Sequence, residues 1–351
     1  MARIKKNIKL IKIATRDRSL LNGYVWHKNK RLCYKTWLNY TLKNDAIIRP
    51  ANGKMSIWFD PSELKKIHAL TRQKINKDPS FVKKIIQKIH TTWQVLQPFA
   101  SKDRPLTTPA EFQNFFHSYI QWWSHASMLM IIPDIPGIAS AIKKRVLDVR
   151  SQYEKYSDIS DKLLLLYIKK HFSKYKNFSD VISPEEIFSA EKLEFTAKKL
   201  GAIKKRKQQG WVLINGELAS YEDAPKLLSK FRLELTSENS DISKDSLSGT
   251  AAYKGKVLGI ARLVTNKNEL DKVLNGDILV SDATSPDYLP AMKKAAAFVT
   301  DEGGMTCHAA IVAREMNKPC IVGTKIATQF IEDGMKIEVD ANKGTITIIK
   351  E

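Results

Sequence analysis

Glycine is scarce through most of this chain. Of 15 glycines in 351 residues, only Gly23, Gly53, Gly137, Gly201, Gly210 and Gly216 precede residue 247. None falls in a glycine-rich run of the kind that covers nucleotide phosphates, so the first 246 residues lack that mark of a nucleotide site. Cysteine is nearly absent as well. Cys33, Cys307 and Cys320 are odd in number and without CxxC spacing, which excludes a fully paired disulfide framework and a zinc knuckle and leaves free thiols. Long apolar runs are missing too. The opening MARIKKNIKLIKIATRDRS mixes lysines with isolated aliphatics and supplies neither a signal-peptide core nor a membrane span. A cytoplasmic protein with no membrane contact is the expectation. His27, His68, His90, His117, His125 and His171 have no metal-ligand spacing with acidic or cysteine partners, so no metal site is expected.

Acidic residues are the remaining shortage. Lysine and arginine number 58 against 37 aspartates and glutamates, a formal charge of +21. Residues 247–351 hold 13 of each sign, so the whole excess lies in the first 246, where 45 basic residues face 24 acidic ones. A basic surface attracts nucleic acid, acidic proteins or phosphorylated ligands. A lysine-rich genome leaves the same bias, and no nucleic-acid-binding motif accompanies it, so both explanations stand.

What is present divides the chain. Its length predicts two domains with a small third element. From Ser62 to Ala190, segments such as SELKKIHALTRQKI, SFVKKIIQKIHTTWQVLQPF and PAEFQNFFHSYIQWWSHASMLM place apolar residues at three- and four-residue intervals, which predicts helices. Ser62 and Thr108 stand where N-caps belong, and Pro109 suits a first helical turn. Phe115, Phe116, Tyr119, Trp122 and Trp123 at helical spacing are taken as core. Residues 1–60, with Trp26, Trp37 and Trp58, suggest short strands or irregular packing. The fold class expected is therefore multi-domain α plus α/β, opening with a mainly α-helical basic domain over 1–200. Residues 201–235 read as a small bridging element with a hairpin turning at Asn215-Gly216, and 236–248, polar and serine-rich, as a linker. From 249 onward, KVLGIARLV, DILVS, AAFVT, CIVG, MKIEV and TITII are strand candidates, while SPDYLPAMKKA and CHAAIVAREMN have helical spacing.

The segment that carries chemistry is TDEGGMTCHAAIVAREMNKPCIVG, residues 300–323. A strand ends, Gly303 and Gly304 follow, and His308 opens a helix. Glycines without Cβ permit a close approach, and the first amides of a helix with its positive dipole end suit an anion. A neutral imidazole can attack phosphorus without a strong base. Spacing alone favours a capping or half-buried polar role for His308.

This segment resembles the phosphohistidine signature of the phosphoenolpyruvate-utilising enzymes, phosphoenolpyruvate synthase and pyruvate phosphate dikinase among them. The resemblance covers roughly residues 249–350, through GTAAYKGKVLGIARLV, DILVSDATSPDYLPAMKKAAAFVT, GGMTCHAAIVARE and DGMKIEVDANKGTITI. It implies that His308 is phosphorylated, with Gly303, Gly304, Thr306, Cys307 and Ala309 as phosphate-binding or supporting neighbours. Thr306 falls where some dikinases carry a regulatory threonine, although a capping or phosphate-contacting hydroxyl is the preferred role. Thr284, Ser285 and Asp287 lie in a loop that borders the histidine in the family, with roles left open, and Arg314 is assigned to a salt bridge.

The resemblance also implies a swivelling β/β/α fold over 249–351. In the family, ATP loads the histidine at an ATP-grasp domain and a (β/α)8 barrel presents pyruvate. Residues 1–246 show neither pattern. The expectation is a phosphoryl carrier that binds no cofactor itself. ATP and Mg2+ are used at a partner domain, the partners are ATP-grasp-containing and acceptor-site chains, and the small-molecule acceptor is open. The alternative is a non-catalytic regulatory protein whose basic helical domain binds nucleic acid or protein.

Overall fold

The computed structural model describes residues 7–16, 18–51, 53–100, 105–154, 159–190, 193–236, 246–305 and 307–349. The chain divides into two compact units, Met1–Thr236 and Ser237–Glu351.

The first unit is rich in helix but is built on a sheet. Strands β1 (Ile8–Arg16), β2 (Asp45–Pro50), β3 (Met55–Phe59), β4 (Gly210–Ile214), β5 (Glu217–Ser220) and β6 (Leu233–Leu235) form one six-stranded sheet in the order β5-β4-β2-β3-β1-β6. Neighbours run antiparallel except β1 and β6, which pair in parallel. The domain expected over 1–200, mainly helical with short strands or irregular packing in 1–60, does carry β1, β2 and β3 in that stretch; its boundary is corrected, since the α+β unit reaches Thr236. The expected bridging element at 201–235 is corrected as well. Its hairpin does turn at Asn215-Gly216, both at positive φ, but β4 pairs with β2 inside the sheet and so belongs to this core.

Helices α1 (Leu20–Leu38), α2 (Pro61–Lys77), α3 (Phe81–Ala100), α4 (Pro109–Ile131), α5 (Ser140–Glu154), α6 (Ile159–His171), α7 (Pro184–Phe188), α8 (Ala197–Gln209) and α9 (Ala224–Phe231) complete the unit. Strand residues alternate between two clusters, as period-2 geometry requires. Ile47, Trp211 and Leu213 join the large helical core, whereas Ala46, Ile48, Val212 and Ile214 face a smaller cluster with Leu227, Leu228 and Phe231 of α9. Of the aromatic run of α4, Phe115, Phe116, Tyr119 and Trp122 are core at 0–2% exposure, while Trp123 is only partly buried against it. Thr108 caps α4 by accepting from the Glu111 amide at 3.1 Å, ahead of Pro109. Ser62 is not the cap of α2: Asp60 is, and Ser62 donates to its Oδ1.

Helix α1 lies inside residues 1–60, where short strands or irregular packing were expected and no helix was. Leu20, Tyr24, Val25, His27, Asn29, Lys30, Cys33 and Tyr34 are all buried, so the helix is covered on most sides and shows little apolar periodicity. Three of its polar residues are paired inside: His27 Nδ1 lies 2.7 Å from Asp45 Oδ2, Arg31 donates to Asp45 Oδ1 at 2.7 Å, and Ser127 donates to Asn29 at 2.9 Å.

The second unit contains β7 (Ser246–Ser248), β8 (Thr250–Tyr253), β9 (Lys256–Leu263), β10 (Ile278–Ser281), β11 (Ala297–Thr300), β12 (Cys320–Val322), β13 (Lys336–Asp340) and β14 (Thr345–Ile348), with helices α10 (Leu289–Lys294), α11 (His308–Met316) and α12 (Ala327–Phe330). The strand order is β7-β14-β13-β9-β10-β11-β12-β8. Strand β9 changes partner midway: 256–260 pair antiparallel with β13, and 261–263 pair in parallel with β10. An antiparallel sector and a parallel sector are joined in this way. Ile278, Val280, Ala297 and Val299 face the antiparallel side, with Ile337, Val339 and Ile346. Leu279 and Phe298 face the opposite side, with Met292 of α10 and Ala309, Ala310 and Ala313 of α11. These are the three layers of a β/β/α arrangement.

The polar linker expected at 236–248 is shorter than its composition suggests. Thr236 donates to Leu10 O through both its amide and its hydroxyl, and 246–248 pair with β14. Residues 237–245 of that segment lie outside the described residues. Among the described residues, no helix is long and apolar enough to cross a membrane.

Candidate functional site

The parallel pairing of β10 with β11 sets Ser281 beside Thr300, so the loops after both strands leave the same edge. Carboxyl ends of parallel strands are where α/β sheets present ligand sites. The loop after β11 carries Gly303, and α11 then opens at His308. The loop after β10 carries Thr284, whose Oγ1 lies 2.9 Å from His308 Nδ1.

His308 is half-buried. Burial lowers its imidazole pKa from 6.5 to about 4, with the Asp287 charge pulling the other way. The ring is therefore neutral at ordinary pH. The contact is compatible with either tautomer of the neutral ring; in the one where Nδ1–H donates to Thr284 Oγ1, the free lone pair is on Nε2.

Gly303 has φ +110°, and a Cβ there would sit 2.7 Å from Cys307 Sγ and 2.9 Å from Cys307 Cβ. Glycine is needed both for the backbone conformation and for the close approach. Gly304 contributes its carbonyl, which accepts from the Cys307 amide at 3.0 Å. Cys307 occupies the N-cap position of α11 without a side-chain capping bond, and its half-buried side chain packs against the cluster beneath α11. Thr306 lies outside the described residues. Ala309 is 1% exposed, so its methyl belongs to the core and only its backbone faces the site. The Ile311 amide donates to Cys307 O at 3.0 Å. The amides of His308, Ala309 and Ala310 precede that bond in the first turn, where helix donors lack intrahelical acceptors. Arg314 donates to Met305 O at 2.8 Å, a tie across the loop in place of the expected salt bridge.

Two residues absent from the sequence-based site set support this edge. Thr284 is the first. Asp301 is the second: it accepts from Thr324 Oγ1 at 3.0 Å and from the Thr328 amide and hydroxyl, anchoring the loop after β11. Burial pushes its carboxyl above the usual range, against the pull of those hydrogen bonds. An aspartate at a strand end flanked by a later threonine pair is a faint sequence signal. No group of three or more His, Cys, Asp or Glu side chains that could hold a metal occurs among the described residues.

Residues 273–344 match the family described as PEP-utilising enzyme, mobile domain. The mobile domain has curated relatives. A probable phosphoenolpyruvate synthase of Archaeoglobus fulgidus is 42% identical over 141 residues, covering 39% of this chain and 18% of that protein. The phosphoenolpyruvate synthase of Pyrococcus furiosus is 42% identical over 135 residues, 38% of this chain and 16% of that one. A probable phosphoenolpyruvate synthase of Staphylothermus marinus is 32% identical over 190 residues, 52% of this chain and 20% of its own. Residues 237–351 alone are fewer than these stretches, so the similarity runs beyond the mobile domain into the first unit. The matched segments span a fifth or less of the relatives' lengths. Among solved structures, Thermococcus kodakaraensis aconitase X in its holo-form is similar over 30% of this chain and 98% of that one, at 18% identity and a TM-score of 0.24, too loose a likeness to carry weight.

Proposed function

We propose that this chain is a phosphoryl carrier in a phosphotransferase similar to phosphoenolpyruvate synthase, with His308 Nε2 as the covalent acceptor. The observation that carries this reading is the bond between Thr284 Oγ1 and Nδ1 of a neutral imidazole at a helix start. In loading, the Nε2 lone pair attacks the donor phosphorus; the N–P bond forms as the donor P–O bond breaks, and Nδ1–H stays on Thr284. In unloading, an acceptor oxygen attacks, the N–P bond breaks and the neutral ring returns. The first-turn amides and the dipole of α11 favour the negative phosphoryl group. ATP with Mg2+ at an ATP-grasp partner is the donor in this reading, and the mobile domain swivels to an acceptor site for a small molecule on another chain.

The test is intact mass and phosphohistidine detection on protein purified from its own cells at neutral or alkaline pH, beside His308→Ala. An acid-labile phosphate that depends on His308 is expected. Its absence after incubation with cell extract and ATP or phosphoenolpyruvate would sink the reading. The charge excess of the first 246 residues favours a second one, a nucleic-acid or acidic-protein binder, whose signature is a salt-sensitive affinity.

A further inference from the structure

The outer face of one helix pair in the first unit is almost without acids. Helices α2 and α3 follow one another through a turn at residues 78–80, and residues 61–100 hold eight lysines and arginines against two acids, Glu63 and Asp78. Apolar burial fixes their inner stripes: Ile67 and Ile75 of α2 enter the same core as Ile85, Ile86, Ile89 and Trp93 of α3. Residues between those positions are turned outward. Lys65, Lys74, Lys77, Lys83 and Lys88 are exposed there and form no ion pair or side-chain hydrogen bond among the described residues. Neither acid offsets them. Glu63 is buried and accepts from the Tyr40 hydroxyl and the Lys43 and Asn44 amides, and Asp78 is taken up by Lys84 at 2.7 Å. Four of the free lysines, Lys74, Lys77, Lys83 and Lys88, flank the turn. Lys74 and Lys77 stand three residues apart on α2, and Lys84 and Lys88 four apart on α3, spacings at which like charges on a helix repel one another. An anion laid across the turn relieves that repulsion.

We propose that the outer face of the α2–α3 turn docks the phosphate backbone of a nucleic acid. This rests on the second reading above, the binder, and is independent of the carrier reading. The chemistry of the face favours a repeating phosphate over an acidic protein. Lysines are point charges on flexible stems, and the exposed positions among them are polar: Gln73, Asn76, Gln87, Thr91 and Gln94. Protein interfaces are instead centred on aromatic, Met and Arg anchors and are poor in lysine. Phe81 and Trp93, the aromatic residues of this stretch nearest the turn, are buried, so no ring is offered for base stacking. Contact is therefore to phosphates and independent of base sequence.

The test is fluorescence anisotropy of a labelled single-stranded RNA of mixed sequence with the full chain, titrated over a range of salt. Five free lysines predict a slope of log K against log salt of about −3.5. The turn is reversed in Lys74→Glu/Lys77→Glu/Lys83→Glu/Lys88→Glu. A control set, Lys169→Glu/Lys170→Glu/Lys198→Glu/Lys204→Glu, changes the net charge equally at exposed lysines of α6 and α8. Both sets lie on the surface, and retained circular dichroism establishes that each is folded. The turn set is expected to bind at least about tenfold more weakly, with a slope shallower by about 3, and the control set to stay within about threefold of wild type. Loading of His308 from phosphoramidate, a small chemical donor, stays at the wild-type rate in both sets. If the control set weakens binding as much as the turn set, net charge and not this face holds the RNA, and the proposal is overturned while the binder reading survives. Polyglutamate that competes as well as unlabelled RNA at equal charge overturns the choice of nucleic acid. A wild-type protein with no affinity for RNA at low salt overturns the proposal and removes nucleic acid from the binder reading.

Discussion

Thr284 Oγ1 and His308 Nδ1 lie 2.9 Å apart although 24 residues separate them in the chain. The contact links the loops that follow two parallel strands and engages one of the two ring nitrogens. Removing it is the most direct probe of the site. Thr284→Val keeps the shape and deletes the oxygen. A net hydrogen bond is worth ~0.5–1.5 kcal/mol, so phosphoramidate is expected to load His308 about three- to tenfold more slowly, with Thr284→Ser close to wild type. Nitrogen-15 NMR of the ring would show a mixed tautomer in the valine variant.

The depressed imidazole pKa predicts an unusual pH profile. Protonation removes the Nε2 lone pair, and the folded ring takes its proton only near pH 4 instead of 6.5. The rate of loading, corrected for the donor's own ionisation, is expected to stay level through pH 6.5 and to fall as the pH drops toward 4. A midpoint at 6.5 would mean that the ring is solvated. The sign for stability follows from the same shift. The unfolded chain binds this proton more tightly, so acid favours unfolding between pH 6.5 and about 4, and His308→Ala should lessen that loss.

Gly303→Ala is expected to be costly. The substitution meets both a φ of +110° and the 2.7 Å approach to Cys307 Sγ, a strain of order 1–3 kcal/mol. Loading should fall while the far-ultraviolet circular dichroism is retained. Cys307→Ala in the same chain should restore only part of the rate, because Cys307 Cβ is itself 2.9 Å from the added carbon.

Asp45 is the corresponding weak point of the first unit. It is 1% exposed and receives both His27 and Arg31. Asp45→Ala leaves both side chains without their carboxylate, a change that costs ~3–5 kcal/mol where a buried pair is broken. All seven tryptophans lie at or before Trp211, so fluorescence excited selectively at tryptophan reports this unit alone. The urea midpoint read by fluorescence is expected to fall by about 1 M or more, with loading of His308 by phosphoramidate unchanged in the absence of urea.

These sites differ in how far the sequence revealed them. Helix α11 and strands β9 to β14 were legible because their apolar residues repeat at the periods of helix and strand. His308, Gly303 and Gly304 were legible because they are contiguous. Thr284 could be named only as an open neighbour, since its role depends on a strand pairing that no local pattern encodes. Helix α1 was hidden for a different reason: with Asn29, Lys30 and His27 buried beside Leu20 and Val25, it has no polar face to set its phase. Strand β7 was hidden by its serines, which pair through backbone atoms and gave no apolar alternation. Asp60 displaced Ser62 as a cap because Pro61 is the first helical residue, two positions before the start that a Ser62 cap implies.

Helix α11 meets the sheet through Ala309, Ala310 and Ala313, each at most 1% exposed. Methyl groups make the shortest spacer a side chain can provide, so the helix axis is seated by backbone proximity and not by adjustable rotamers. His308 is the first residue of that helix. Its positional tolerance is thereby inherited from the sheet, and little compliance is left for it to stray within its own unit. Reacting atoms must meet within about 3–3.5 Å. A stiff mounting of this kind trades local reach for repeatable aim, and it predicts that any journey the histidine makes is made by the unit as a whole.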